Sequence, residues 1–319
     1  MSAPWLSLHC FIAETAQQEA FLVRHVAPLV QQWRAAGLVD RWFFIRYWEG
    51  GPHLRVRLSG PATLDPAPFT AALEAAMPSF VAPQPLRPEA YYAAHPFDGA
   101  PVVIQDLPWF DAGTVAVIPY VPELQRYGGT AAMIASERLF GQSSALAVAL
   151  VRAVPDVPGR IGSAFALMAV TARALGCDIA GIADFAARYA EGWSHYSAAN
   201  RTLAARLAGE PFDRALATRL QAILRATSSP MIAGWEAAVA RLRADLELLA
   251  DAGELISPLG DWAGDGAQSI AAIAGSHLHM LNNRLGIVPA NELVVATHLA
   301  RAAAALASTP VPPIEEMVA

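Results

Sequence analysis

Lysine is missing from this chain, so all 22 of its basic side chains are arginine. Arginine is the residue suited to fork-like binding of carboxylates, although a bias toward GC-rich codons gives the same usage. Cysteine is almost as scarce. Cys10 and Cys177 make no disulfide framework and fit no zinc spacing, which leaves two free thiols in a reducing compartment as the expectation. Charge is thin, at 16% of residues, and its sum is −6. No bulk positive field therefore draws in nucleic acid or an anionic membrane, and an anionic substrate must be met by a local cluster of arginines.

Long hydrophobic runs are lacking too. Mean hydropathy is +0.33, yet no stretch of about 20 apolar residues runs free of polar interruption. The start, MSAPWLSLHCFIAET, has no basic segment followed by an apolar one and does not read as a signal peptide. A cytoplasmic, membrane-free protein is the expectation. No GxxxxGK[ST] loop, GxSxG elbow or metal-ligand spacing occurs, so no cofactor and no metal is expected.

What is present is length and alanine. A chain of 319 residues, 55% of them hydrophobic, buries a sizeable core. Alanine-rich stretches favour helix because alanine loses no side-chain entropy there. Residues 5–12 (WLSLHCFI) read as a strand, and 15–36 as a helix with Phe21, Leu22, Val26, Leu29 and Val30 near a 3.6 period. WFFIRYW (42–48), a GlyGlyPro turn and HLRVRLSG (53–60) read as a strand pair. Prolines scatter through 61–113, around a short helix near 69–76, and TVAVIPYVP (114–122) reads as a further strand. Beyond residue 128 the segments 129–153, 160–176, 178–195, 213–227, 231–252, 267–285 and 289–308 read as helices. ValProGlyArg (157–160) reads as a break, and the tail TPVPPIEEM as frayed.

The expected architecture is α+β. A small, mainly antiparallel N-terminal sheet (1–128) packs against a helical C-terminal portion (129–310) within one domain spanning 1–319.

Three segments carry candidate chemistry. In PHLRVRL the strand period of two puts His53, Arg55 and Arg57 on one face and Leu54, Val56 and Leu58 on the other, core-facing one. Arg55 and Arg57 then stand roughly 6.6 Å apart along the backbone. Two forks at that spacing suit two carboxylates of one small molecule, or one held bidentately. A solvated edge strand shows the same alternation. In VPELQRYGG, Glu123 and Arg126 share a face of any helical turn, either as a surface ion pair or as an arginine aimed into a cleft by its carboxylate.

In SHLHMLNNRLGI, His279, Asn282, Asn283 and Gly286 fall at i, i+3, i+4 and i+7, with His277 about 200° from His279. A helical histidine at such a place is either a base or a satisfied structural group. GWSHY (192–196) adds Trp193, His195 and Tyr196 as a packing corner or a pocket wall.

Together WFFIRYWEGGPHLRVRL, YVPELQRYGG, SERLF and HLHMLNNRLGI resemble the thiopeptide-type bacteriocin biosynthesis domain, which is also the C-terminal, glutamate-eliminating portion of class I lantibiotic dehydratases. The resemblance runs from Trp5 to Arg284 and is to the stand-alone, split form. It implies a lyase that expels glutamate from glutamylated serine or threonine of a ribosomally made precursor peptide, leaving dehydroalanine or dehydrobutyrine. It carries catalytic roles onto His279, Arg57 and Arg126, and substrate-binding roles onto Arg55 and Glu123. His53 and Asn283, on the same strand and helix faces, are expected to join the substrate contacts. Family members often carry an acidic residue after the SExxF segment, where Gln142, Ser143 and Ser144 stand here.

The implied partners are the leader-bearing precursor and a tRNA-dependent glutamyl-transferring protein, with no nucleic acid bound directly. Pyridine synthases share the fold and join two dehydroalanines with expulsion of the leader. Tyr189, Trp193, His195 and Tyr196 are the neutral donors such a cyclase would use. A third expectation is a non-catalytic subunit that grips the precursor peptide.

Overall fold

A computed structural model of the chain describes residues 4–81, 84–94, 107–225, 229–260 and 266–308. The first strand, β1 (Leu6–Phe11), leads into a helical segment of two parts, α1 (Thr15–Phe21) and α2 (Ala27–Ala35). They are joined through a π-turn at Leu22–Val26. The wider turn has a local cause. Pro28 has no N–H to donate and its ring crowds the carbonyl four residues earlier, so the helix loosens just ahead of it.

Next come β2 (Arg41–Tyr47), β3 (His53–Ser59), α3 (Pro66–Ala76), α4 (Pro88–Ala94) and the short β4 (Val115–Val117). Eight helices follow: α5 (Gly129–Ala153), α6 (Val157–Ala174), α7 (Ile179–Ser194), α8 (Ala198–Gly209), α9 (Arg214–Arg225), α10 (Pro230–Asp251), α11 (Gly266–Arg284) and α12 (Pro289–Ala307).

The four strands form one antiparallel sheet in the order β2-β3-β1-β4. This is the α+β arrangement that the sequence suggests. One sheet face carries Leu8, Cys10, Leu54, Val56, Leu58 and Phe44, all sealed from solvent. Arg46 ends the same face and reaches Glu19 of α1 at 3.2 Å, so α1 lies over that side. The β2 edge is sealed as well. Ser144 Oγ of α5 accepts from Phe44 N at 3.1 Å, and Arg284 Nε of α11 donates to the Phe44 carbonyl at 2.7 Å.

The chain divides into two compact units, Met1–Arg160 with Arg241–Val288, and Ile161–Ala240 with Pro289–Ala319. The first holds the sheet, α1 to α5 and α11. In the second, α12 packs on α7, α8 and α9. There Arg173 grips Glu236 through two bonds of 2.6 and 2.7 Å, and Trp235 donates to Thr171 Oγ1 at 2.9 Å.

Several expectations are corrected. The strand expected over 114–122 stops at Val117, because Pro119 and Pro122 have no N–H to continue a ladder. The break expected at 157–160 is instead the first turn of α6. Asp156 Oδ2 accepts there from Gly159 N at 2.7 Å, and Pro158 sits in a first turn where its missing N–H does no harm. Helix α8 was not anticipated, although Ser197 caps it through Asn200 N at 3.1 Å. The tail at 309–317 and part of the 61–113 connection lie outside the described residues. Among the described residues no single helix is long and apolar enough to cross a membrane.

Candidate functional site

The arginine face of β3 is covered, not solvated. His53 is fully buried and Arg57 is only 8% exposed, while Arg55 is half-buried. Strand register explains why these side chains meet others. Directly opposed residues of an antiparallel pair share a face, so Ser7 and Phe43 flank Arg57, and His9 and Ile45 flank Arg55.

The Arg55 guanidinium lies 3.5 Å from the centre of the Tyr47 ring. That of Arg57 lies 4.3 Å from Tyr120 and 5.2 Å from Phe43. Aromatic faces hold a guanidinium by cation–π attraction while leaving its edge donors for an anion.

His53 stacks on His9 at 4.9 Å and meets the tilted Phe11 ring at 4.5 Å. Its Nδ1 meets the Gly51 carbonyl at 2.7 Å and its Nε2 meets Arg55 Nε at 3.1 Å. An arginine only donates, so Nε2 must accept and Nδ1 carries the proton. Burial, countered in part by the Gly51 carbonyl, pulls the His53 pKa down to about 4. His53 is thus a neutral imidazole that orients Arg55. Both of its ring nitrogens are engaged within the protein.

Glu123 and Arg126 sit on a turn closed by bonds from Arg126 N and Tyr127 N to the Glu123 carbonyl at 3.1 and 3.2 Å. Their side chains pair at 3.0 Å. Gly128 and Gly129 follow at φ +91° and +94°, and a Cβ on either would come within 2.8–2.9 Å of neighbouring side chains, including Ala132 and Ile256. Only glycine lets the chain turn there into α5.

Burial lowers the pKa of Arg57 to about 10, with Tyr120 opposing and Arg55 adding to the drop. It lowers that of Arg55 as well. Glu123 steadies the charge of both, and Glu49 adds to Arg55. Arg55, Arg57 and Arg126 therefore share the field of one largely exposed carboxylate. Tyr127 sits in the same field, its pKa raised to about 12 by burial.

Beside Glu123 and Arg126 opens a cavity of about 540 Å³, also lined by Leu124, Gln125, Pro258, Leu259, Ala272 and Ser276. Ala272, Ser276, His279 and Asn283 fall at i, i+4, i+7 and i+11 on α11, one stripe of that helix. His279 is half-buried and stands between the cavity-lining Ser276 and Asn283.

Asn283 itself serves the sheet. Its Oδ1 accepts from Arg46 N at 2.9 Å and its Nδ2 donates to the Arg46 carbonyl at 3.0 Å. Through these two bonds its amide closes the β2 edge. His277 points elsewhere, to Ser136 Oγ at 3.1 Å and to the Tyr127 and Phe140 rings, and burial holds its pKa well below the usual value.

Sequence reasoning passed over Ser7, His9, Tyr47, Tyr120, Tyr127 and Arg284. The alternation in WLSLHCFI holds the signal for the first two. Ser144, where the family resemblance suggests an acid nearby, also accepts from Arg284 Nε at 3.1 Å and donates to the Phe140 carbonyl at 2.8 Å. No group of three or more His, Cys, Asp or Glu suited to a metal lies among the described residues.

In the second unit, Tyr189 donates to the buried carboxylate of Glu292. The Tyr189 ring stands 6.2 Å from Trp193, which stands 5.4 Å from Tyr196.

Comparison with known proteins places this geometry. The solved structure of TsrL matches with a TM-score of 0.68 at 17% identity, over 94% of each chain. The pyridine synthase TbtD from thiomuracin biosynthesis matches with a TM-score of 0.69 at 20% identity, over 95% of this chain and 98% of TbtD. The tRNA-dependent lantibiotic dehydratase MibB from Microbispora sp. 107891 matches at 0.55 and 22% identity, over 94% of this chain but 28% of MibB. These likenesses establish a shared fold. No curated protein sequence matches. Residues 5–303 match the lantibiotic biosynthesis dehydratase C-terminal family, to which this chain belongs.

Proposed function

We propose that this protein eliminates glutamate from glutamylated serine or threonine of a ribosomally made precursor peptide. The observation that carries the reading is the gathering of Arg55, Arg57 and Arg126 around the field of Glu123, in a chain whose net charge is −6. Partly desolvated guanidiniums held on aromatic faces are preorganised for carboxylates, and a site that handled only neutral alkenes would have no use for them.

In the reaction a base removes the weakly acidic α-proton. The electron pair forms the Cα=Cβ bond, the Cβ–O bond breaks, and glutamate departs as a carboxylate. His279 is the base in this reading, since an imidazole is a common general base in proton abstraction. Arg55 and Arg57 bind the glutamyl group and the leaving carboxylate, with Arg126 as a third anion contact set by Glu123. The cavity beside Arg126 receives the peptide. A tRNA-dependent glutamyl-transferring protein supplies the ester, in the cytoplasm.

A second reading, a pyridine synthase, is favoured by the cluster of Tyr189, Trp193 and Tyr196, neutral donors beside aromatic surface, with Tyr189 held by the Glu292 carboxylate. One incubation separates the two. Loss of glutamic acid from a synthetic glutamyl-serine peptide, with dehydroalanine formed, supports the lyase. An inert glutamyl ester beside ring closure of a bis-dehydroalanine peptide establishes the cyclase instead.

A further inference from the structure

Ser7 of β1 stands directly opposite Arg57 of β3, so both side chains project from the same sheet face. Ser7 is 2% exposed and Arg57 8% exposed. Among the described residues neither the Ser7 hydroxyl nor the Arg57 Nε has a hydrogen-bond partner. A buried donor without an acceptor is costly, and two of them facing one another across a strand pair is a strong departure from the usual satisfaction of polar groups. They make no hydrogen bond to one another either, so each is left to meet an oxygen from elsewhere.

We propose that Ser7 and Arg57 form a two-donor seat for one carboxylate oxygen of the bound substrate, and that the seat takes the free side-chain carboxylate of the glutamyl group. The assignment rests on the elimination reading above. Depth decides which carboxylate it is. The peptide chain is too bulky to leave the open cavity beside Glu123 and Arg126, and the ester carboxyl is tied to that chain. Only the far tip of the glutamyl group can reach a side chain as enclosed as Arg57.

Neighbouring groups fit the same role. Tyr120 and Phe43 clamp the guanidinium from its faces, which keeps Nε in one direction. His9, the next residue of β1 on this face, is held neutral by burial and by the nearby His53, Arg55 and Arg57, so it adds no charge of its own beside the seat. Ser7 is then a specificity-determining residue. It rewards a substrate that ends in an anion.

Titration of glutarate into the full-length protein, followed by calorimetry, tests the seat without requiring turnover. The wild type should bind, Ser7→Ala should bind roughly ten- to a hundredfold more weakly, as expected for losing a hydrogen bond to a charged group, and Ser7→Thr should recover most of the affinity. Ser7→Ala removes a buried hydroxyl that has no partner, so its melting temperature should not fall. Equal affinity in wild type and Ser7→Ala, or no glutarate binding by the wild type, overturns the seat.

Turnover of the glutamyl-serine peptide is scored separately. A wild type that binds glutarate in a Ser7-dependent way yet leaves the glutamyl ester intact keeps the seat and removes the elimination reading. One that eliminates glutamate with Ser7 irrelevant to affinity does the reverse.

Discussion

Arg55 donates through Nε to Nε2 of His53 at 3.1 Å, and this single bond fixes the protonation state of a buried histidine. The imidazole must stay neutral to accept it, with its proton on Nδ1 facing the Gly51 carbonyl. The folded pKa of His53 lies at about 4, against an ordinary value of 6.5. Below pH 6.5 the unfolded chain takes up a proton that the folded chain refuses, so stability falls as pH drops toward 4. The slope is about 1.4 kcal/mol per pH unit for each such histidine, and His9 adds to it because its pKa is lowered in the same direction. Urea midpoints at pH 7, 6 and 5 should decline. His53→Phe keeps a ring in the stack but cannot titrate, so its decline should be shallower. A slope identical to wild type would show that His53 takes its proton without loss of the fold.

The double glycine before α5 is a second point of leverage. Gly128→Ala places a Cβ 2.8 Å from Leu255 Cδ1 and 2.9 Å from Ala132 Cβ, at a φ of +91° that L residues rarely adopt. Strain of this kind costs about 1–3 kcal/mol before the overlap is counted. The variant should unfold at visibly lower urea than wild type, and it should lose turnover in proportion to the displacement of Arg126, two residues upstream. A midpoint unchanged within error would mean that the turn absorbs a side chain after all.

Much of this was legible in the chain. Alternation in PHLRVRL separates Leu54, Val56 and Leu58 from the arginines, because the period of a strand is local. Spacing likewise pairs Glu123 with Arg126. What stayed hidden depends on register between distant segments. Ser7 faces Arg57 across fifty residues of sequence, and nothing local to either marks the pairing. Asn283 looks like a ligand contact on a helical wheel, and only the position of β2 shows that Arg46 claims both ends of its amide. Helix α8 was missed because it buries little beyond Leu207 and Asn200, which leaves a weak apolar stripe to read. The solvated-face reading of the arginine strand fails for a similar reason. Tyr120 and Phe43 cover Arg57 from outside its own strand.

Removing the arginine itself separates anion binding from folding. Arg57 is enclosed among aromatic rings and has no carboxylate within ion-pair distance among the described residues. Arg57→Ala therefore breaks no ion pair and leaves a gap against Tyr120 and Phe43. The melting temperature should shift modestly, while glutamylated peptide should accumulate with turnover reduced at least a hundredfold. Arg57→Lys should recover little, since a point charge lacks the fork and the planar stacking surface. Full turnover by Arg57→Ala would remove this residue from the site.

Two residues four apart on α11 make the sharpest contrast. Asn283 exchanges two hydrogen bonds with the Arg46 backbone, and those groups are only partly open to water. Truncation to alanine orphans an N–H and a carbonyl on the sheet edge, at about 1–3 kcal/mol for a buried group left unsatisfied. Asn283→Ala should therefore lower the urea midpoint, and its loss of activity should be recovered at lower temperature, where the folded fraction returns. His279 sits half-buried on α11 one turn beyond the cavity-lining Ser276, and as the proposed base it would act on the barrier more than on the fold. His279→Ala should keep a wild-type midpoint and lose turnover by about 10²- to 10⁴-fold, the usual worth of a positioned proton acceptor. If instead Asn283→Ala abolishes turnover at an unchanged midpoint, and His279→Ala merely unfolds earlier, the two roles on this helix are exchanged and the base lies elsewhere.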